Sequence, residues 1–203
     1  MTNQIFTIGH SNHTTEKFLD LLRLHGITAV ADVRSSPRTR VNPDFSQPFI
    51  DRVLSEAGIR YIFLGEELGA RSSDETCYEK GRVCYDRLAR QTLFQNGLDR
   101  IEMDSEKYSL ALLCAEKEPL QCHRCILVSR NLVDRKLRVS HILADGMTET
   151  HQETILRLKQ SLNLAAQRDM FQTDDEITDM AYSLQEEKIA YVLPDDHVPD
   201  LVA

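Results

Sequence analysis

The chemically densest part of the sequence is LLCAEKEPLQCHRC, residues 112–125. It begins as an apolar strand and then brings Cys114, Glu116, Cys122, His123 and Arg124 close together along the chain. A helix is predicted to begin here, and its dipole, with His123 and Arg124, favours an ionised Cys122 that would be a nucleophile. The same helix amides and Arg124 are equally suited to hold a phosphate or carboxylate, with Cys122 as a pocket wall. A third interpretation is inert packing.

The spacing of the cysteines and arginines in this stretch can be compared with that of three known motifs. A protein-tyrosine-phosphatase loop needs an arginine six positions after its cysteine, and Val128 at that position excludes it. Cys122 and Cys125 form a C-x-x-C motif, which is typical of thiol redox proteins, but it follows the fourth predicted strand and not the first. Cys77 and Cys84 could join this pair as zinc ligands, but the spacing is unlike that of the usual zinc knuckles. The sequence therefore predicts no metal site, and no cofactor is evident.

Further candidates follow the first two predicted strands. His10 and Ser11 come after a strand-ending glycine, where an imidazole can face a ligand as acid or base. The alternative is a core histidine bonded to a backbone carbonyl. Asp32 is expected to pair with Arg34, Arg124 or His10, either in the site or as a structural ion pair.

Charged residues also lie in the loop after the second strand and at the end of the fifth. The loop sequence VRSSPRTR predicts a positive patch suited to phosphates, or else a solvated loop, and contains Arg34, Arg38 and Arg40. Asp145 ends the fifth strand in a turn, and its carboxylate is a candidate substrate-binding group or a second acid or base beside Glu116.

The elements that position these residues alternate regularly between strand and helix. Short apolar, β-branched runs predict five strands, at 4–11, 27–34, 60–65, 108–116 and 138–145. Helices are predicted between them at 14–26, 47–59, 86–103 and 123–135, and residues 66–85 are predicted to form an extended loop. This alternation predicts an α/β fold, a three-layer sandwich around a mainly parallel five-stranded sheet.

Polar residues collect where the predicted strands end. The residues at these ends are His10, Ser11, Asp32, Arg34, Gly65, Glu67, Cys114, Glu116 and Asp145. The carboxyl ends of parallel strands share one edge, and ligands bind in the crevice there. The sequence therefore predicts a functional cleft at that edge.

Composition and charge restrict the class of protein. Of 203 residues, 41% are hydrophobic and 28% charged, and no apolar run is long enough for a membrane span. No secretory signal is visible, so we expect a cytoplasmic protein whose five cysteines are reduced. The net charge of -8 lies entirely in residues 165–203, which hold ten acids and two bases. We predict an α/β domain at 1–150 and a helical, acidic extension at 151–203, with an amphipathic helix at 177–192 that docks on the body or stays a solvated appendage.

Five segments together closely resemble one family, the bacterial and archaeal domain of unknown function 488. They are TIGHSN, ADVRSSPRTR, YIFLGEELGA, LLCAEKEPLQCHR and HILADG, in this order over about Phe6 to Gly146. The resemblance implies an α/β domain whose shared polar residues correspond here to His10, Ser11, Asp32, Arg34, Cys114, Glu116, Cys122, His123 and Arg124. The family pattern C-H-R does not include Cys125, which disfavours disulfide exchange as a shared function. Glu66 and Glu67 depart from a loop that is often richer in glycine.

These observations predict an enzyme, a hydrolase or transferase, that acts on an anionic substrate, either a small molecule or a nucleotide or nucleic-acid-derived ligand. Arg34 and Arg124 would hold the anion, His10 or Glu116 would be acid or base, and Cys122 would be nucleophile or pocket wall. Asp32 is grouped with the catalytic residues, and the remaining substrate-binding candidates are Ser11, Cys114, His123 and Asp145. The alternatives are a non-catalytic module that binds a ligand or partner, and a thiol redox protein that uses Cys122 and Cys125.

Overall fold

The computed structural model describes residues 4–38, 42–164 and 173–194. The strands are β1 (Gln4–Gly9), β2 (Ala29–Asp32), β3 (Arg60–Phe63), β4 (Tyr78–Glu79), β5 (Arg82–Val83), β6 (Leu110–Cys114), β7 (Arg138–Ile142) and β8 (Thr148–Thr150). The main sheet has the order β3-β2-β6-β1-β7-β8, and β4 and β5 form a separate hairpin. All neighbours in the main sheet are parallel except β8, which is antiparallel to β7.

The helices follow the strands along the chain. They are α1 (Thr15–Leu24), α2 (Gln47–Glu56), α3 (Gly65–Leu68), α4 (Tyr85–Ala89), α5 (Thr92–Ser105), α6 (Arg130–Asp134), α7 (His151–Ser161) and α8 (Asp174–Ile189). A π-helix, Arg124–Ser129, leads directly into α6. No helix of the described ranges combines the length and the apolar character that crossing a membrane requires.

The predicted fold class is confirmed, with local differences. All five predicted strands are present and parallel, as β1, β2, β3, β6 and β7. The sixth strand, β8, is additional, and Gly146 with φ +91° makes the turn that leads into it. The helix predicted at 86–103 is two helices because Gln91 is extended between them. The loop predicted at 66–85 contains ordered elements, namely the end of α3, the β4–β5 hairpin and a short 3₁₀ turn.

Apolar side chains on both faces of the sheet make the core. α1 places Phe18, Leu21 and Leu22 on one side at helical spacing, where they pack with Ile50 and Leu54 of α2 beneath the sheet. The opposite face is covered by α5, the π-helix, α6 and the extension helices. Burying each such side chain contributes about 1.5–3 kcal/mol, so the three layers hold the sheet edge rigidly.

The C-terminal extension packs against the body of the protein. α8 begins with a capping box, in which Thr173 and Glu176 bond reciprocally, and it buries Ala181 and Tyr182. The amide of Gln185 donates to the carbonyl of Leu120 at 2.7 Å. After α8, residues 191–193 pair with the β4–β5 hairpin through bonds from the amides of residues 83 and 193. The helix predicted at 177–192 is therefore present as α8, and it contacts the segment before the CHRC motif.

Candidate functional site

A cleft of about 230 Å³ opens at the carboxyl edge of the sheet, beside the ends of β2 and β6. These strands are neighbours, so the segments that follow them emerge side by side. The other walls come from the segment after α3, the first residue of α4, the end of α8 and Tyr191. The side chains that matter most to its chemistry are Arg34, Arg71, Glu116, Cys122, His123 and Tyr191.

Four lining residues form one compact polar group, which we call the thiol cluster: Cys114, Glu116, Cys122 and His123. Glu116 Oε2 lies 2.9 Å from the Cys122 sulfur and 3.2 Å from the Cys114 sulfur. His123 Nδ1 lies 3.6 Å from the Cys114 sulfur and 3.9 Å from the Cys122 sulfur. His123 Nε2 donates to the carbonyl of Val33 at 3.0 Å. Because Nε2 then carries a proton, the neutral imidazole directs its Nδ1 lone pair at the sulfurs.

The surroundings shift the pKa values of the two thiols of the cluster in opposite directions. Burial opposes ionisation of Cys122, but the hydrogen bond with Cys114 and the charge of Arg124 outweigh it and lower the pKa of the Cys122 thiol. Burial, reinforced by Cys122, raises the pKa of Cys114. Burial also raises the pKa of Glu116, with Cys122 adding to the effect. Burial opposes a proton on His123, but the Cys122 sulfur and Glu116 raise its pKa.

Arg124 lies beneath the thiol cluster and does not line the cleft. Its side chain is fully buried, and it donates to the carbonyls of Glu116 at 2.8 Å and Lys117 at 3.3 Å. Its Nε has no hydrogen-bond partner among the residues that the structure describes. From the sequence, Arg124 was predicted to bind the anionic group of a ligand. In the structure it instead holds the 116–117 loop, and its charge stabilises an ionised Cys122.

Local chain geometry explains why the two sulfurs meet. A Cβ on Gly9 would overlap the carbonyl oxygen of Glu116, so a glycine in β1 leaves room for the segment after β6. The 3₁₀ turn Pro119–Gln121 then reverses the chain and returns Cys122 to the side of Cys114. The π-helix follows at once, and π-turns are frequent at functional sites.

Asp32 and Arg34 form a buried ion pair beside the cleft. Arg34 Nε and Nη2 donate to the two carboxylate oxygens at 2.8 and 2.6 Å, and Arg34 Nη2 also donates to the carbonyl of Phe45 at 2.9 Å. The Tyr61 hydroxyl donates to Asp32 at 2.7 Å. Asp32 thus has the geometry of the structural ion pair that was one of its two interpretations. Arg34 lines the cleft, with its charge partly balanced by Asp32.

His10 and Ser11 lie at the same sheet edge but do not line the cleft. The His10 ring stacks on Phe45 with 4.5 Å between centroids, and its Nδ1 lies 2.9 Å from the Ser11 carbonyl. Burial, followed by the nearby charge of Arg34, lowers the pKa of His10 to about 4. The Ser11 hydroxyl donates to Asn12 at 3.2 Å. His10 is therefore neutral and packed, which matches the core alternative.

Asp145 and Arg38 do not line the cleft. Asp145 is exposed, and its carboxylate accepts from the amide of Met147 at 2.9 Å in the turn before β8. Arg38 is exposed, and Arg40 falls at 39–41, outside the described residues. The cleft itself brings together five of the predicted residues, which are Arg34, Cys114, Glu116, Cys122 and His123.

The cleft residues that were not predicted from the sequence include Arg71, Tyr85 and Tyr191. Arg71 and Tyr191 form part of the wall, and Tyr85 lines the cleft beside the thiol cluster. Burial, together with the negative charge of Cys122 and its neighbours, raises the pKa of Tyr85, which keeps its hydroxyl protonated. No sequence signal joined these residues to the cleft, because they lie after α3, at the start of α4 and in the extension.

A second buried group lies on the side of the sheet that the extension covers. A hydrogen-bonded chain runs from Thr7 Oγ1 through His141 and His151 to the Tyr182 hydroxyl, with distances of 2.8, 3.1 and 2.7 Å. The Cys125 sulfur belongs to this group, 3.9 Å from His151 Nδ1. The sulfur contacts of Cys122 are instead with the thiol cluster, so the two cysteines of the C-x-x-C motif belong to different groups.

The fold and the cleft together identify the class of protein. It is an α/β protein with an open, mainly parallel sheet and a polar cleft at the carboxyl edge of that sheet. A family model described as a domain of unknown function, DUF488, matches residues 14–131, more than half of the chain. The chain therefore belongs to the DUF488 family. The match includes the thiol cluster and excludes β1, β7 and the extension. Searches of curated proteins and of solved structures found no match.

Proposed function

We propose that this protein is an enzyme, a hydrolase or transferase, whose substrate carries an anionic group and binds in the cleft. The observation that carries the proposal is the position of Glu116, whose carboxylate contacts two sulfurs at the wall of an open cleft. Its raised pKa suits a group that takes up and returns a proton. An ionised Cys122 beside it supplies a reactive sulfur or a ligand for a cation.

Two arginines support an anionic substrate. Arg71 lines the cleft and is exposed, so its guanidinium can reach a phosphate or carboxylate. Arg34, which Asp32 holds in place, also lines the cleft and adds a fixed positive charge. The aromatic ring of Tyr191 lies beside Arg71 and would stack on a base, which favours a nucleotide or nucleic-acid-derived substrate.

A panel of phosphate monoesters, nucleotides and oligonucleotides tests this proposal. Binding is measured by thermal shift and titration, and turnover by mass spectrometry of the panel after incubation. We expect Arg71→Ala to weaken binding of the ligand found by about tenfold or more, because a charge-assisted hydrogen bond is lost. The control Arg23→Ala removes an exposed arginine of α1, outside the cleft, and should bind like the unmodified protein.

The Glu116→Gln variant separates catalysis from binding. It keeps the size of the side chain, so we expect binding to persist while turnover falls about 10²–10⁴-fold. A ligand that binds in the cleft but is never converted would support the non-catalytic binding module and end the enzyme proposal. If Arg71→Ala bound the ligand as tightly as the unmodified protein does, the proposal that the anionic substrate binds in this cleft would be wrong.

A further inference from the structure

We propose that Cys114, Cys122 and His123 form a zinc site with an open coordination position toward the cleft. The ligand atoms of these residues lie within 4.8 Å of one another. The proposal deepens the proposed function, and the role of the metal in catalysis rests on it. Metal binding itself can be tested without a substrate.

The distances suit tetrahedral zinc. Zinc binds sulfur at about 2.3 Å and imidazole nitrogen at about 2.0–2.1 Å, which puts tetrahedral sulfur and nitrogen ligands about 3.5 Å apart. His123 Nδ1 lies 3.6 and 3.9 Å from the sulfurs of Cys114 and Cys122. Two sulfurs and one nitrogen are a ligand set that zinc enzymes use with water in the fourth position.

The surroundings of His123 provide a second, independent observation. Its Nε2 donates to the carbonyl of Val33, which fixes the ring and turns Nδ1 toward both sulfurs. An outer hydrogen bond of this kind accompanies almost all zinc-binding histidines. The loop between the two cysteines is also fixed, because Arg124 holds the carbonyls of Glu116 and Lys117. The site is therefore largely formed by the protein alone.

Charge balance favours a divalent ion at this position. Two thiolates would neutralise the ion, and the carboxylate of Glu116 would balance the buried guanidinium of Arg124 beneath them. Binding would release the protons of the thiols, as it does in other zinc–thiolate sites. Arg34 opposes the ion only weakly, since it is paired with Asp32.

Glu116 contacts both sulfurs and lies outside the group of three ligands. In zinc deaminases, likewise, one histidine and two cysteines hold the ion while a glutamate that is not a ligand moves protons. A hydrolysis here would consume one water. Its proton passes to Glu116, its oxygen bonds to the electrophilic centre of the substrate, and the leaving group departs with the proton that Glu116 returns. Cys122 is then a metal ligand and not a nucleophile.

Metal analysis of the full-length protein tests the site directly. We expect about one zinc per chain after purification under reducing conditions without added chelator, and one Co²⁺ per chain after metal removal and titration. Cobalt bound at the site should show the absorption of a tetrahedral ion with thiolate ligands. X-ray absorption at the zinc edge should give two sulfur neighbours and one or more nitrogen or oxygen neighbours.

Cysteine variants assign the site. We expect Cys114→Ser and His123→Gln to weaken Co²⁺ binding by more than the roughly 10–100-fold that loss of an outer-shell partner causes, or to lose the thiolate absorption, because a ligand itself is removed. Cys125→Ser and Cys84→Ser are matched controls outside the three ligands and should bind like the unmodified protein. The Cys125 control also excludes metal held by the buried Cys125–His141–His151 group.

Each outcome bears on the proposal. The zinc site is rejected if the unmodified, reduced protein binds neither ion, or if a Cys114–Cys122 disulfide forms while turnover continues. It is also rejected if Cys125→Ser alone loses the metal. Metal bound through Cys114, Cys122 and His123 without turnover of any panel compound would leave the zinc site standing and count against the proposed enzyme function.

Discussion

The guanidinium of Arg71 lies over the ring of Tyr191, with 4.4 Å between the guanidinium carbon and the ring centroid. Arg71 belongs to the region that the family model matches, and Tyr191 follows α8 in the extension. The Tyr191 carbonyl also accepts from the amide of Val83 at 2.9 Å. Because both side chains line the cleft, the extension builds part of the candidate site.

A double-mutant cycle measures this link. We expect Tyr191→Ala to lower the free energy of unfolding by on the order of 1 kcal/mol, and Tyr191→Phe by less, since phenylalanine keeps the aromatic face. Combining Tyr191→Ala with Arg71→Ala should reveal a coupling of about 0.5–1 kcal/mol in urea denaturation. Strictly additive losses would mean that the stacked pair contributes nothing.

We expect the Asp32–Arg34 pair to contribute mainly to the free energy of unfolding. Asp32→Asn leaves a buried guanidinium without its counter-charge, and we expect it to lower the free energy of unfolding by about 3–5 kcal/mol. Tyr61→Phe removes only the 2.7 Å bond to the same carboxylate and should cost about 1–3 kcal/mol. Urea denaturation monitored by circular dichroism gives both values. A stable Asp32→Asn protein that has lost ligand binding would instead place Asp32 in the site.

Features that are local in sequence were predictable. The five parallel strands follow from short apolar runs between helical repeats. The thiol cluster follows from residues that are at most nine positions apart, Cys114 to His123. A single turn closes that distance. The helix break at Gln91 was missed because no glycine or proline marks it.

The order of the strands within the sheet could not be predicted from the sequence. Asp145 follows β7 and Cys114 ends β6, and both strands end at the same edge of the sheet. Because β1 lies between β7 and β6, the two residues are separated across the sheet. Arg71 and Tyr191 were missed for the converse reason. They are far apart along the chain, and only packing of the extension against the β4–β5 hairpin brings them together.

Substituting Gly9 should disturb the thiol cluster from below. A Cβ at this position overlaps the Glu116 carbonyl oxygen, so Gly9→Ala must displace the 115–117 loop. We expect a loss of about 1–3 kcal/mol of unfolding free energy or more, as for other overpacked sites. The amides of His10 and Ser11, which donate to the carbonyls of residues 114 and 115, should exchange faster with deuterium.

Gly26→Ala is the comparison for Gly9→Ala. Gly26 has φ +62° with open space around it, so alanine there costs backbone strain of about 1–2 kcal/mol and leaves the loop intact. Its exchange pattern near His10 should match that of the unmodified protein. Unchanged exchange at His10 and Ser11 in Gly9→Ala would show that the loop does not depend on the glycine.

Acid should destabilise the protein through its buried histidines. Burial lowers the pKa of His10 and of His151 from 6.5 to about 4, and the charge of Arg34 adds to the effect on His10 against the opposing Asp32. Between these pH values the unfolded chain binds protons that the folded protein does not. The stability that each histidine contributes is therefore fully present above about pH 6.5 and is lost as the pH falls toward 4, by about 3 kcal/mol each. Urea denaturation at a series of pH values measures this loss.

His10→Phe is the control for this prediction. It keeps the stacking on Phe45 and removes one titrating group, so its stability should fall by about 3 kcal/mol less over the same range. The same pH dependence in His10→Phe and the unmodified protein would mean that folding does not lower the pKa of His10.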